Sequence, residues 1–179
     1  MNKIGIYVHI PFCKQKCLYC DFISYSNKLD CVIKYVERLK KEIDDVADKI
    51  DINSNIVNTI YIGGGTPSYI DEKYIAEILE KIKSRFNIEE NAEITLELNP
   101  GTSNKEKLEH YKKLGINRLS IGVQSTSNRI LKLLGRIHCY EEFVEVYKQA
   151  RQVRFWKYKY RFNYWSTNTN NRRCKRINL

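Results

Sequence analysis

Ile4-Gly-Ile-Tyr7-Val-His-Ile10, followed after Pro11 and Phe12 by Cys13-Lys-Gln-Lys-Cys17-Leu-Tyr-Cys20, is the stretch that settles how this chain is to be read. The first run has the β-branched and aromatic composition of a strand. Tyr7 and His9 stand one strand period apart and are expected to share a face. The loop that follows carries three thiols spaced CxxxCxxC. Such a set gives an iron–sulfur cluster three protein ligands, whereas closed electron-transfer clusters normally take four cysteines. The fourth iron is left open, and an open iron is where a substrate-like cofactor coordinates.

That asymmetry points to radical S-adenosylmethionine (SAM) chemistry rather than simple electron transfer. Other readings of the cysteines are weaker. A structural zinc site wants four tetrahedral ligands, and His9, the only nearby fourth candidate, is expected to point along its strand rather than into the loop. A disulfide framework suits small secreted domains, but the chain opens Met-Asn-Lys-Ile-Gly, straight into a strand and without a signal peptide. No apolar run approaches transmembrane length. These features imply a cytoplasmic chain with reduced thiols. Cys31, on a helical pattern, and Cys139 lack ligand spacing and read as ordinary packed or surface residues.

The 179 residues allow one domain with a real core, and the formal charge of +10 would ordinarily suggest nucleic acid as a partner. Its distribution rejects that. Residues 151–179 hold nine Lys/Arg and no acid, leaving 22 basic and 21 acidic residues in 1–150. The body is nearly neutral. The basicity, with both tryptophans (Trp156 and Trp165), belongs to the end of the chain.

The body alternates strand and helix signals, the pattern of βα units on a parallel sheet. Strands are expected at Ile4–Ile10, Ile56–Ile62, Glu93–Leu98 and Arg118–Val123. Helices are expected over about Leu29–Ile50, Glu72–Arg85, Lys105–Leu114, Asn128–Leu134 and Tyr140–Val153. In barrels built from such units, catalytic groups sit at the C-terminal ends of the strands. The cysteine loop, the turn Gly63-Gly-Gly-Thr-Pro67, Glu97 and Gln124 all fall there.

Singly, these residues are weak signals. The glycine turn lets backbone approach a ligand closely, but it lacks the GK[ST] ending of a phosphate loop, and GxGxxG is absent. A lone Glu97 or Gln124 is most often a solvated or paired side chain. Arg136 would suit a carboxylate bidentately, yet an isolated surface arginine is the commoner outcome. His110 lies on a polar helix and reads as exposed.

Together they match a family. The runs Tyr7-Val-His-Ile-Pro-Phe-Cys13, Cys13-x3-Cys17-x2-Cys20-Asp-Phe22, Gly63-Gly-Gly-Thr-Pro-Ser68, Glu97-Leu-Asn-Pro-Gly-Thr102, Arg118-Leu-Ser-Ile-Gly-Val-Gln-Ser125 and Leu134-Gly-Arg136 resemble the oxygen-independent coproporphyrinogen III oxidase-like radical SAM family. Within it they resemble the heme chaperone (HemW-like) branch. The resemblance covers about residues 3–153. It implies an α/β fold, a partial (β/α)6 TIM-like barrel truncated after about four βα units, with residues 1–154 as its radical SAM core. It further implies that Cys13, Cys17 and Cys20 bind a [4Fe–4S] cluster whose open iron is chelated by SAM. By the same resemblance Tyr7, Tyr19, Gly64, Gly65, Thr66, Glu97, Gln124 and Arg136 line the SAM site. In the family, one-electron reduction of the cluster cleaves SAM to a 5′-deoxyadenosyl radical, which a barrel shields from water and oxygen.

Two features separate the branches. The oxidase carries a CxC extension of the motif, and here Cys20-Asp21-Phe22 puts Phe at that place. The oxidase also has a longer segment before its first strand. Both favour the chaperone branch, which binds heme and hands it to a respiratory acceptor, with peripheral membrane association through that acceptor and an electron donor such as flavodoxin or ferredoxin. The alternatives are the oxidase itself and a non-enzymatic, cluster-bearing binding module.

Residues 155–179 read as an aberrant basic tail, out of frame. With AT-rich codons, a one-base shift across Trp156–Leu179 yields GNINIDLIIGLPTQTIEDVKESI: a β-rich strand, a Gly-Leu-Pro turn and the start of an acidic amphipathic helix. The shifted Asp straddles the Arg161 codon, where the family places a further SAM-contacting Asp. The tail as written follows Val153 abruptly and shows no apolar period, so local and global signals conflict. A solvated or nucleic-acid-binding tail is the alternative. A barrel open at this point exposes a sheet edge and part of its core, and poor stability is the expectation.

Overall fold

A computed structural model of the chain describes residues 1–163. Strand β1 (Asn2–Ile10) leads into a short parallel pair, β2 (Phe12–Cys13) and β3 (Tyr25–Ser26), that brackets the cysteine loop. After a 3-10 turn at Leu29–Cys31 come α1 (Val32–Ala47) and β4 (Asn55–Gly64). Next are α2 (Glu72–Arg85), β5 (Ile88–Leu98), α3 (Lys105–Lys113) and β6 (Arg118–Gln124). The helices α4 (Asn128–Leu133) and α5 (Tyr140–Gln152) precede β7 (Lys157–Phe162). The five long strands form one sheet in the order β1-β4-β5-β6-β7, every neighbour parallel. This is the α/β architecture expected, part of a barrel.

The sheet sorts its side chains by the two-residue period of a strand. Val8 and Ile10, Ile60 and Ile62, Ile94 and Leu96, and Leu119 and Ile121 point to one face and are buried under the helices, against residues such as Val36, Ile75, Leu79, Ile82, Leu108, Phe143 and Val146. The intervening positions form a polar concave face. There Glu93 pairs with Arg118 at 2.6 Å and with Lys157 at 3.8 Å. Asp71 caps α2 by accepting from the Lys73 N–H, and Asn104 caps α3 by accepting from the Lys107 N–H. Among the described residues no helix is long and apolar enough to cross a membrane.

The end of the chain departs from expectation. The boundary placed after residue 154 does not coincide with a break in packing. Phe155 is fully buried, and Lys157–Phe162 pairs with β6 as a fifth strand. Tyr158 and Tyr160 stack on each other with centroids 6.0 Å apart, and Phe143 meets Tyr160 edge-on at 5.8 Å. The segment does have a period, of two: Tyr158, Tyr160 and Phe162 face the helices, while Lys157, Lys159 and Arg161 line the concave face. The rest of the tail, 164–179, lies outside the described residues.

Candidate functional site

At the C-terminal ends of the strands lies a cavity of about 570 Å³. Cys13, Cys17, Cys20, Tyr19, Gly64, Gly65, Thr66, Glu97, Gln124 and Arg136 all line it. Residues scattered over most of the chain thus meet in one place. Tyr7 is the exception among the expected set: it stands beside the cavity, stacked on Tyr61 with centroids 6.1 Å apart. Burial, then the Glu97 charge, raises its phenol above the ordinary value.

The cysteine loop is held from three sides. The glycine turn after β4 lies edge-on against the chain that carries Cys13: Gly65 N–H donates to Ile10 O and Thr66 N–H to Phe12 O, each at 2.8 Å. The Thr66 hydroxyl donates to Cys13 Sγ at 3.4 Å. From the segment after α4, Leu134 O accepts from Leu18 N–H at 3.2 Å and Gly135 O from Gln15 Nε2 at 3.0 Å. Arg136 reaches Cys17 Sγ and the Tyr19 hydroxyl, both at 3.5 Å, and anchors on Gly122 O at 2.8 Å. Burial pushes the Tyr19 phenol up to about 12, against the pull of Arg136, so it is a proton donor at neutral pH.

His9 is the third clamp, and sequence reasoning placed it wrongly. Rather than running along its strand, it reaches the loop, with Nε2 2.8 Å from Ile23 O. A carbonyl only accepts, so Nε2 carries the proton and Nδ1 accepts from the Tyr7 hydroxyl at 3.0 Å. Both ring nitrogens are engaged, which removes His9 as a fourth ligand. Its ring occupies the space over Gly64, where a Cβ would stand 2.7 Å from the imidazole.

The thiols are free, Cys13 buried and the other two half-buried. Among the described residues no three ligand side chains converge on a single point as one metal ion would require. A cubane cluster makes a different demand: each thiolate takes a separate iron, so the ligands stand around its corners. Three soft sulfur donors on the wall of one cavity fit that demand. Cys31 is exposed, and Cys139 is spent on capping α5, its N–H donating to Glu142 Oε2 at 2.7 Å.

Glu97 and Gln124 close the far side. Glu97 is buried and accepts from the Tyr61 hydroxyl at 2.7 Å. Gln124 holds a left-handed backbone, φ 66°, at the end of β6, a strained geometry that side chains tolerate where surroundings impose it. Sequence reasoning missed Tyr61 and Arg161, although the strand period places Tyr61 on the same face as Gly63. Arg161 Nη1 lies 2.9 Å from Glu97 Oε1.

Fold and site define an α/β protein with a partial barrel and a thiol-lined cavity at its strand ends. The chain belongs to the Radical SAM superfamily, whose family profile matches residues 7–169, past the boundary expected at 154. It is 40% identical over 154 residues to the heme chaperone HemW of Buchnera aphidicola subsp. Schizaphis graminum (strain Sg), covering 86% of this chain and 40% of that protein. It is 41% identical over 151 residues to the heme chaperone HemW of Escherichia coli (strain K12), covering 84% and 39%. Among solved structures it resembles coproporphyrinogen III oxidase (HemN) from Escherichia coli, a radical SAM enzyme, with a TM-score of 0.82 and 28% identity over 88% of this chain and 36% of that one. The chain spans about two fifths of the length of the curated relatives it matches.

Proposed function

We propose that this chain carries the cluster and SAM site of a heme chaperone. The observation that supports it most is the gathering of Cys13, Cys17 and Cys20 with the Gly64–Thr66 turn, Glu97, Gln124 and Arg136 around one cavity. The three thiolates would hold a [4Fe–4S] cluster, which when bound supplies one-electron reductive cleavage of SAM. Thr66 and Arg136 already donate toward Cys13 and Cys17, and such donation stabilises thiolate charge. The Gly64–Gly65 backbone offers close approach to a ligand, and Tyr19 adds a protonated hydroxyl. Heme as cargo, a flavodoxin- or ferredoxin-like donor, a respiratory acceptor and a cytoplasmic setting come with this reading.

The curated relatives matched at about 40% identity carry the name heme chaperone, which supports the chaperone over the oxidase. So does Phe22, which lines the cavity where the oxidase motif has cysteine. Anaerobic reconstitution tests the ligand assignment. Cys17→Ala should lose the broad visible absorption of the cluster, and equal iron in variant and parent would refute it. Incubation with SAM and a reductant should then yield 5′-deoxyadenosine; SAM binding without that product favours a cluster-bearing binding module.

Residues 155–179 are read as an out-of-frame counterpart of the family's fifth βα unit. The basic side chain of Arg161 beside Glu97, at the place the resemblance assigns to Asp, supports this. Aromatic residues at alternate positions let the same segment fill the sheet.

A further inference from the structure

Apart from its thiols, the cavity presents, among the described residues, four cationic side chains, Lys16, Arg136, Lys159 and Arg161, and one carboxylate, Glu97. That carboxylate is already taken. Arg161 Nη1 and the Tyr61 hydroxyl both bind its Oε1, at 2.9 and 2.7 Å, and the Glu97 side chain is only 10% exposed. Arg161 gets there because β6 sets Gly122 opposite it in register. A Cβ at Gly122 would lie 3.3 Å from Arg136 Nη2 and 3.5 Å from Arg161 Nη2. Two guanidiniums therefore use the room above one glycine.

We propose that Arg161, in the chain as written, competes with the ligand for Glu97 and sets the cavity against a cationic occupant. The inference rests on the SAM reading above. SAM and S-adenosylhomocysteine share an amino group and ribose hydroxyls, and any of these seeking Glu97 must displace the guanidinium. SAM alone adds a fixed sulfonium, which sits in a field that Arg161 makes more positive. Like charges a few ångströms apart in a part-buried site weaken binding by about tenfold. S-adenosylhomocysteine has the same skeleton with a neutral thioether, so it is penalised less.

The test is equilibrium dialysis of SAM and S-adenosylhomocysteine against the anaerobically reconstituted full chain, Arg161→Ala and Arg161→Gln. Circular dichroism and cluster absorption check that the variants are intact. The expected result is SAM affinity raised about tenfold in both variants, with a smaller gain for S-adenosylhomocysteine. Adding Glu97→Gln to Arg161→Ala should cancel the gain. If the parent binds SAM and neither variant binds it more tightly, the competition is refuted and the SAM reading stands. An equal gain for both nucleosides refutes the field argument, and a gain that survives Glu97→Gln refutes the competition and leaves only bulk. If no variant binds either nucleoside although the cluster absorption is present, both the inference and the SAM reading fall.

Discussion

Gly65 shows how closely single atoms constrain this site. A Cβ there would stand 2.9 Å from Ile10 O and from Phe12 O, and backbone atoms cannot swing aside. Gly65→Ala should cost about 1–3 kcal/mol and displace the segment that carries Cys13. A urea titration should show the lower midpoint, and iron content should fall with it. His138 makes a pH prediction. Burial, then the Arg136 charge, depresses its imidazole from 6.5 to about 4. Between those values the unfolded chain binds a proton that the folded chain refuses. Stability is therefore full above pH 6.5 and is lost as pH falls toward 4, by on the order of 2–3 kcal/mol. His138→Gln should flatten the dependence of the denaturation midpoint in that window; an unchanged slope would assign the acid sensitivity to other groups.

Elements divide by how locally they are encoded. The α2 helix was legible to the residue because Asp71 supplies the cap and Ile75, Ile78, Leu79 and Ile82 repeat at helical spacing. The cysteine loop and glycine turn were legible because their chemistry is carried by sequence spacing. The β7 strand was not. Its alternation of tyrosine with lysine and arginine looked like unpatterned basicity, since the partners that make it intelligible, Tyr147 and Phe143 on one face and Glu93 and Glu97 on the other, come from distant elements. Burial under α5 raises Tyr158 to about 12. Phe155, fully buried just before this strand, anchors it. Phe155→Ala should cost about 3–5 kcal/mol, read as a lower denaturation midpoint. A change below about 1 kcal/mol would mean that β7 contributes little to the folded state.

For the molecule as a whole, the sheet brings one strand end after another to the same rim, and site residues from Cys13 to Arg161 meet there. The reading of residues 155–179 as a shifted frame is also tested at this scale. Mass spectrometry of the protein from its natural source should yield a peptide containing INIDLIIGLP. Recovery of peptides spanning Tyr158–Asn163 as written would establish the present end as genuine. What the sequence by itself determined was periodic or contiguous: the strand and helix order, the three-thiol loop, the glycine turn, and which residues end strands. What only the tertiary structure decided was the pairing across strands. His9 clamps the loop through Ile23, Tyr61 and Arg161 both hold Glu97, and Gly122 leaves the space that Arg136 and Arg161 enter. Local periods specify the face a side chain takes, but not its partner, because ion pairs and hydrogen bonds between distant segments depend on register and close approach, which appear only once the sheet is assembled.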